Sequence, residues 1–271
     1  MIEAISQYSD SPFQITILCI SALLIGVNKT ALPGIGILPV VLLANTFDAR
    51  ISTGMQLLML AWADIMAVIY FRRSADWKLI LRLLPWSLSG LAIGWWLLSY
   101  IPPENTTAMK LLIGWIVIGL LILNFVRKRL NPDKIPSGLL PSAFYGSLMG
   151  STTMLANAAG PISAIYLLSM KLTKEQYMGS GAWLFMIVNW IKLPMFWYQG
   201  RITKEVLLLD LWMIPLLIIG GFLGIVLFKK LPQQIFEKIV TVLVVIAALK
   251  MVLGPVIDPV LNPFLKRIFG M

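Results

Sequence analysis

Leu155-Ala156-Asn157-Ala158-Ala159-Gly160-Pro161 interrupts a long apolar run, and the reading of this stretch decides the fold. A Gly-Pro step inside a hydrophobic segment stops a helix, because proline lacks an N–H and crowds the preceding turn. Asn157 brings an amide to a depth where lipid offers no hydrogen bonds. Such a break is tolerated only where protein or a water-filled cavity satisfies the freed backbone groups. The first half of the chain carries a similar interruption, Asn28-Lys29-Thr30-Ala31-Leu32-Pro33-Gly34-Ile35-Gly36. Paired breaks in two halves of a membrane chain point to a transport site.

Composition sets the class. Of 271 residues, 59% are hydrophobic and 13% charged, against roughly a quarter charged in soluble domains. This is the composition of an all-α polytopic membrane protein. The net charge of +10 lies mostly in short loops between apolar runs, a pattern that sets topology and argues against nucleic acid as a partner. Glu3 and Asp10 replace the basic start of a signal peptide, so the first span is expected to be retained. Cys19 is the single cysteine and histidine is absent. An intramolecular disulfide, a multi-cysteine metal site, most zinc chemistry and histidine proton relays are therefore excluded, and no cofactor or metal is expected.

Apolar segments run over about 13–27, 33–46, 51–71, 79–100 and 107–126, then 139–155, 159–170, 178–199, 206–228 and 235–253. The second and seventh are short for a span of about 20 residues. Each short pair reads either as two tilted spans or as a re-entrant hairpin of half-helices broken at 28–36 and 155–161. Pro85, Gly90, Gly94 and Pro102 stand 130 residues before Pro215, Gly220, Gly224 and Pro232, which marks an internal repeat. The expected division is a first transmembrane repeat at 1–126, a cytoplasmic linker at 127–138, a second repeat at 139–254 and a tail at 255–271. An odd number of segments per half makes the repeat inverted. Lys and Arg counts place Arg72, Arg73, Lys78, Arg127, Lys128, Arg129, Lys134, Lys171, Lys174, Lys229 and Lys230 in the cytoplasm. Arg50, Arg201, Lys204, Lys266 and Arg267 then face outward, as do both termini. Most tryptophans lie near segment ends, as interfacial anchors do.

Four polar residues inside or beside apolar segments are candidates for function: Lys29, Asp64, Asn157 and Lys192. The bland alternatives are an Asp64–Lys192 ion pair tying the halves together, Lys29 snorkelling to an interface, and Asn157 capping a helix. Asp210 and Lys250 lie closer to segment ends and read as structural. Two lysines, the helix N-termini near Pro33 and Pro161, and the amides and hydroxyl of Asn28, Thr30, Asn157 and Asn189 suggest an oxyanion site. Gly34, Gly36, Ala158, Ala159 and Gly160 allow the backbone to approach closely. The expected binding set is Lys29, Thr30, Gly34, Asn157, Gly160, Pro161, Asn189 and Lys192. Asp64 would repel an anion, and is assigned to pairing with a lysine or carrying a proton.

Lys29 to Gly36, the Asp64 segment with Arg72-Arg73 and Asp76-Trp77-Lys78, and Pro85 with Gly90 and Gly94 resemble the first half of a known family. Asn157-Ala158-Ala159-Gly160-Pro161, Tyr166-Leu167 and Asn189-Trp190-Ile191-Lys192-Leu193-Pro194 resemble its second half. That family is the sulfite exporter TauE/SafE group, also called the toluene sulfonate uptake permease family, and the resemblance extends from about 13 to 253. It implies a multi-pass permease of the bacterial inner membrane for sulfite, sulfoacetate, thiosulfate or aromatic sulfonates. The expected function is a secondary transporter of such an anion by alternating access, with export favoured. An anion channel is the alternative, and an enzyme is not expected. Partners are the anion and membrane lipid, with a homo-oligomer left open.

Overall fold

The computed structural model describes residues 11–33, 35–100, 138–232, 234–236, 238, 239 and 242. Eight helices are defined there: α1 Pro12–Thr30, α2 Ile37–Thr46, α3 Ala49–Phe71, α4 Trp77–Tyr100, α5 Leu139–Ala156, α6 Gly160–Ser169, α7 Lys174–Tyr198 and α8 Lys204–Lys230. Among the described residues the fold is all-helical, with no strand. Segment 107–126, most of 235–253, Pro102, the linker at 127–137 and the tail at 255–271 lie outside the described residues.

Short polar residues start most of the long helices. The Ser11 side chain accepts from the Gln14 N–H, with Pro12 opening the first turn of α1. Asp48 accepts from Ile51 N–H ahead of α3, and Asp76 from Leu79 N–H at α4. Thr173 and Gln176 form a reciprocal capping box on α7, and Thr203 accepts from Val206 N–H on α8. The two short helices differ. Neither α2 nor α6 has a side-chain N-cap hydrogen bond. Both are ten residues long, about 15 Å at 1.5 Å per residue, half of a bilayer core of about 30 Å. They are half-helices by length. Pro161 sits in the first turn of α6, where its missing N–H costs nothing. Pro85, Pro194 and Pro215 lie inside α4, α7 and α8, which continue through them.

Among the described residues, four helices are long and apolar enough to cross a membrane: Pro12–Thr30, Ile51–Phe71, Trp77–Leu98 and Lys204–Lys230. The fold is that of a multi-pass membrane protein. Ile69, Leu81, Trp96, Trp212 and Phe222 stand exposed on its outer face, each more than half accessible, as side chains covered by lipid would. Leu18, Met59, Val188 and Leu209 belong to one apolar cluster, and Leu83, Tyr145, Met149 and Ile165 to a second.

The most extensive helix contacts join α1 to α8 and α4 to α5, across the two halves, followed by α3 with α7. The first two are built alike. A Cβ on Gly150 would strike Ser87 O, Leu91 N and Gly90 Cα; a Cβ on Gly26 would strike Leu217 O, Gly221 N and the Gly220 carbonyl carbon. Gly90 rests on Ser147 as Gly220 rests on Leu23, and Gly94 on Ser151 and Met154 as Gly224 rests on Val27 and Thr30. Every partner on α4 recurs 130 residues later on α8, and every partner on α1 recurs 124 residues later on α5. Small residues let these backbones touch, and dispersion between closely packed helices supplies attraction that lipid cannot match.

Candidate functional site

The two breaks meet at a partly open cavity of about 90 Å³. Its wall contains Asn28, Lys29, Pro33 and Gly36 from the first break, and Asn157, Ala158, Ala159 and Gly160 from the second. Gln56, Thr153, Ser163 and Asn189 also line it. The first turns of α2 and α6 therefore face one space. Gly36 N–H is held by Asn28 Oδ1 at 2.9 Å, which closes the first break upon the end of α1.

Lys29 is the charged side chain of this wall among the described residues. Its ammonium pairs with Asp64 Oδ1 at 2.6 Å and stands over the Phe185 ring, 4.7 Å from its centre. The lysine side chain is 10% exposed and Asp64 is fully buried behind it. Asn189 Nδ2 donates to the other Asp64 oxygen at 2.7 Å. Lys29 thus does not snorkel, and the Asp64–Lys192 pairing expected as one alternative is replaced by Asp64–Lys29. Asn189 and Lys192 are three residues apart on α7 and face the same way, so spacing alone left either within reach of Asp64. The placement of α1 against α3 decided the partner.

Lys192 is fully buried and donates to Asn157 Oδ1 at 2.5 Å and Thr153 Oγ1 at 3.0 Å. Asn157 in turn donates to Thr53 O at 2.9 Å and more distantly to Gln56 Oε1 at 3.4 Å. It occupies the left-handed backbone region, φ 52°, at the C-cap of α5, a conformation asparagine tolerates better than most residues. Asn157 therefore ends one helix with its backbone while its side chain joins Lys192 to α3. Lys192 stands behind the wall.

The expected binding set divides accordingly. Lys29, Asn157, Gly160 and Asn189 line the cavity. Lys192 reaches it through Asn157 and Thr153. Thr30 does not line it: its hydroxyl bonds to Gly26 O and Gly221 O and ties α1 to α8. Pro161 opens the first turn of α6, and Gly34 lies outside the described residues. Gln56, Thr153 and Ser163 were missed by sequence reasoning. Gln56 had a signal, an amide within an apolar run; the hydroxyls are ordinary in membrane helices.

Two other charged residues are buried. Arg201, expected in an outward loop, is 6% exposed, donates to Thr53 Oγ1 and stacks on Phe196, whose ring Lys192 also approaches. Asp210 lies on the buried face of α8, and neither carboxyl oxygen has a hydrogen-bond partner among the described residues.

No curated protein and no solved structure matches the chain. A model of the sulfite exporter TauE/SafE family matches residues 18–251. With that match covering most of the chain, the protein belongs to the sulfite exporter TauE/SafE family of membrane transporters.

Proposed function

We propose that the protein is a secondary transporter of small sulfur-containing anions such as sulfite, sulfoacetate or another organosulfonate. The observation that carries this reading is one cavity lined by two uncapped half-helix N-termini, Lys29, Asn157 and Asn189. Helix N-termini present unsatisfied N–H groups and partial positive charge, and Lys29 adds a full one. Lys192 holds Asn157 in place. Lys29, Asn157, Gly160 and Asn189 form the binding surface, with Lys192 and Asp64 behind it and Thr30, Gly34 and Pro161 shaping the breaks. The cavity of about 90 Å³ is smaller than the roughly 150 Å³ that accommodates benzene in an engineered core. It suits sulfite or a short sulfonate better than an aromatic one in this conformation.

Alternating access between inverted repeats, at 1–126 and 139–254 about a linker at 127–138, is the mechanism we infer. The matched glycine interfaces support a repeat. Their direction supports inversion. The contacts of Gly54 with Ile202 and Met66 with Gly221 run α3 and α8 the same way, whereas Gly179 on Phe71 and Asn189 on Asp64 run α7 against α3, and Trp77 with Trp183 and Trp95 with Tyr198 run α4 along α7. Hence α4 and α8, equivalent by their glycines, run oppositely. Pro85 and Pro215, each beside a packed pair of glycines, are places where rocking could occur. We place the protein in the bacterial inner membrane with both termini outside. An anion that leaves the cell carrying net negative charge is favoured by the inside-negative potential, which is why export is the direction we infer.

Proteoliposome counterflow tests the carrier. Unlabelled sulfite or sulfoacetate on one side is expected to accelerate exchange of labelled anion from the other; flux indifferent to the opposite side would establish the channel instead.

A further inference from the structure

We propose that Asp64 couples anion binding to proton binding: the cavity takes an anion at Lys29 when Asp64 accepts a proton and gives up its claim on the ammonium. The inference rests on the anion reading of the cavity and deepens it.

The geometry makes the two events hard to separate. Lys29 and Asn189 both line the cavity, and they are also the groups that hold Asp64, one on each carboxylate oxygen, at 2.6 and 2.7 Å. Any anion close enough to bond to both must lie within a few ångströms of the carboxylate behind them. In a buried site of low dielectric that repulsion is strong. With Asp64 ionised, the wall presents a neutralised pair to the anion. With Asp64 protonated, Lys29 carries an uncompensated charge and Asn189 is free to turn its N–H outward.

Among the described residues, the other charged groups around Asp64 do not perform this exchange. Lys192, one turn beyond Asn189 on α7, donates to Asn157 and Thr153. α2 carries no titratable side chain. Asp210 is the acidic group on the buried face of α8, well before the turn at Gly221 that meets Met66 of α3. Lys29 alone faces Asp64 from α1.

The proton balance is simple. One carboxylate becomes one carboxylic acid as the anion enters, and the proton leaves to water when the anion does. A monosulfonate then crosses with no net charge. A dianion such as sulfite or sulfoacetate keeps one negative charge, so the membrane potential still favours its exit.

The test is calorimetric titration of the purified full chain with methanesulfonate, which keeps one charge across the neutral pH range. Runs in buffers of different ionisation heat count the protons taken up. The expected result is one proton per anion where Asp64 is ionised, with Kd weakening about tenfold per pH unit above its titration. Asp64→Asn is expected to bind with no proton uptake and a flat pH profile. A merely structural Asp64 would alter affinity without changing the proton count. Wild-type binding with no proton uptake at any pH, or Asp64→Asn keeping the wild-type slope, would overturn the proposal. Folded wild-type protein that binds neither methanesulfonate nor sulfite would instead overturn the anion reading beneath it. Should Asp64→Asn not fold, the wild-type proton count decides alone, and the double variant Lys29→Gln/Asp64→Asn is expected to fold and to lose at least tenfold in affinity.

Discussion

The two breaks reach the same cavity by different means. The first carries its own charge: Lys29 is the penultimate residue of α1, lines the wall and has Asp64 as its partner. The second has no charge of its own. It presents Asn157, whose amide is oriented by Lys192 from a different helix. The first is also sealed internally, by Asn28 on Gly36 N–H, while among the described residues nothing stands within 4 Å of the position a Cβ on Gly160 would take. One break holds a compensated ion pair, and the other holds a neutral amide oriented by a buried lysine behind it. A site that must admit and release an anion gains from having both, since a permanently unpaired charge would hold its ligand too tightly.

The largest effect is expected from breaking the first arrangement. Lys29→Ala leaves Asp64 buried without its cation, and removing one partner of a buried pair costs about 3–5 kcal/mol. Thermal denaturation should show a large loss that Lys29→Ala/Asp64→Asn mostly recovers. A single variant as stable as wild type would show that the pair is wetted rather than buried. The corresponding change on the other side, Lys192→Met, should cost less, about 1–3 kcal/mol, because it orphans the uncharged Asn157 and Thr153 oxygens. It should nevertheless abolish transport, since Asn157 loses its orientation. Flux near wild type would remove Lys192 from the site.

A smaller pair of substitutions compares the glycines. Gly36→Ala would place a Cβ about 3 Å from the Asn28 amide, displacing the bond that closes the first break, at a cost of about 1 kcal/mol. Gly160→Ala meets open space and replaces glycine in the first turn of a helix, so its stability should stay within about 0.5 kcal/mol of wild type. Equal effects at both would contradict the difference between a sealed and an open break.

Much of this was legible in the sequence. Apolar runs located the helices, and Gly-Pro located the second break, because each depends on residues adjacent in the chain. Lys29, Asp64, Asn157, Asn189 and Lys192 stood out because polar groups are costly among apolar neighbours. What pairs with what was not legible. Asp64 lies on α3, and its choice between Lys29 and Lys192 depends on how α1 and α7 cross it. Arg201 lies in the connection between α7 and α8, as its neighbours suggested, but its burial, with its backbone packed on Gly54, was not legible. Thr30 fell out of the site because the hydroxyl faces α8 rather than the cavity. Asp210, read as structural near a segment end, lies on the face of α8 that packs inward.

The most direct test is thermal-shift binding by purified protein against sulfite, sulfoacetate, thiosulfate, sulfate and an aromatic sulfonate. A ligand confined to the folded state stabilises it by about 2.7 kcal/mol at a hundred times its Kd. A selective shift with a small sulfur anion, absent in Lys192→Met and in Lys29→Ala/Asp64→Asn, is the predicted result. Folded protein that responds to none of these anions, or a shift that survives both variants, would contradict an anion site at the meeting of the two breaks.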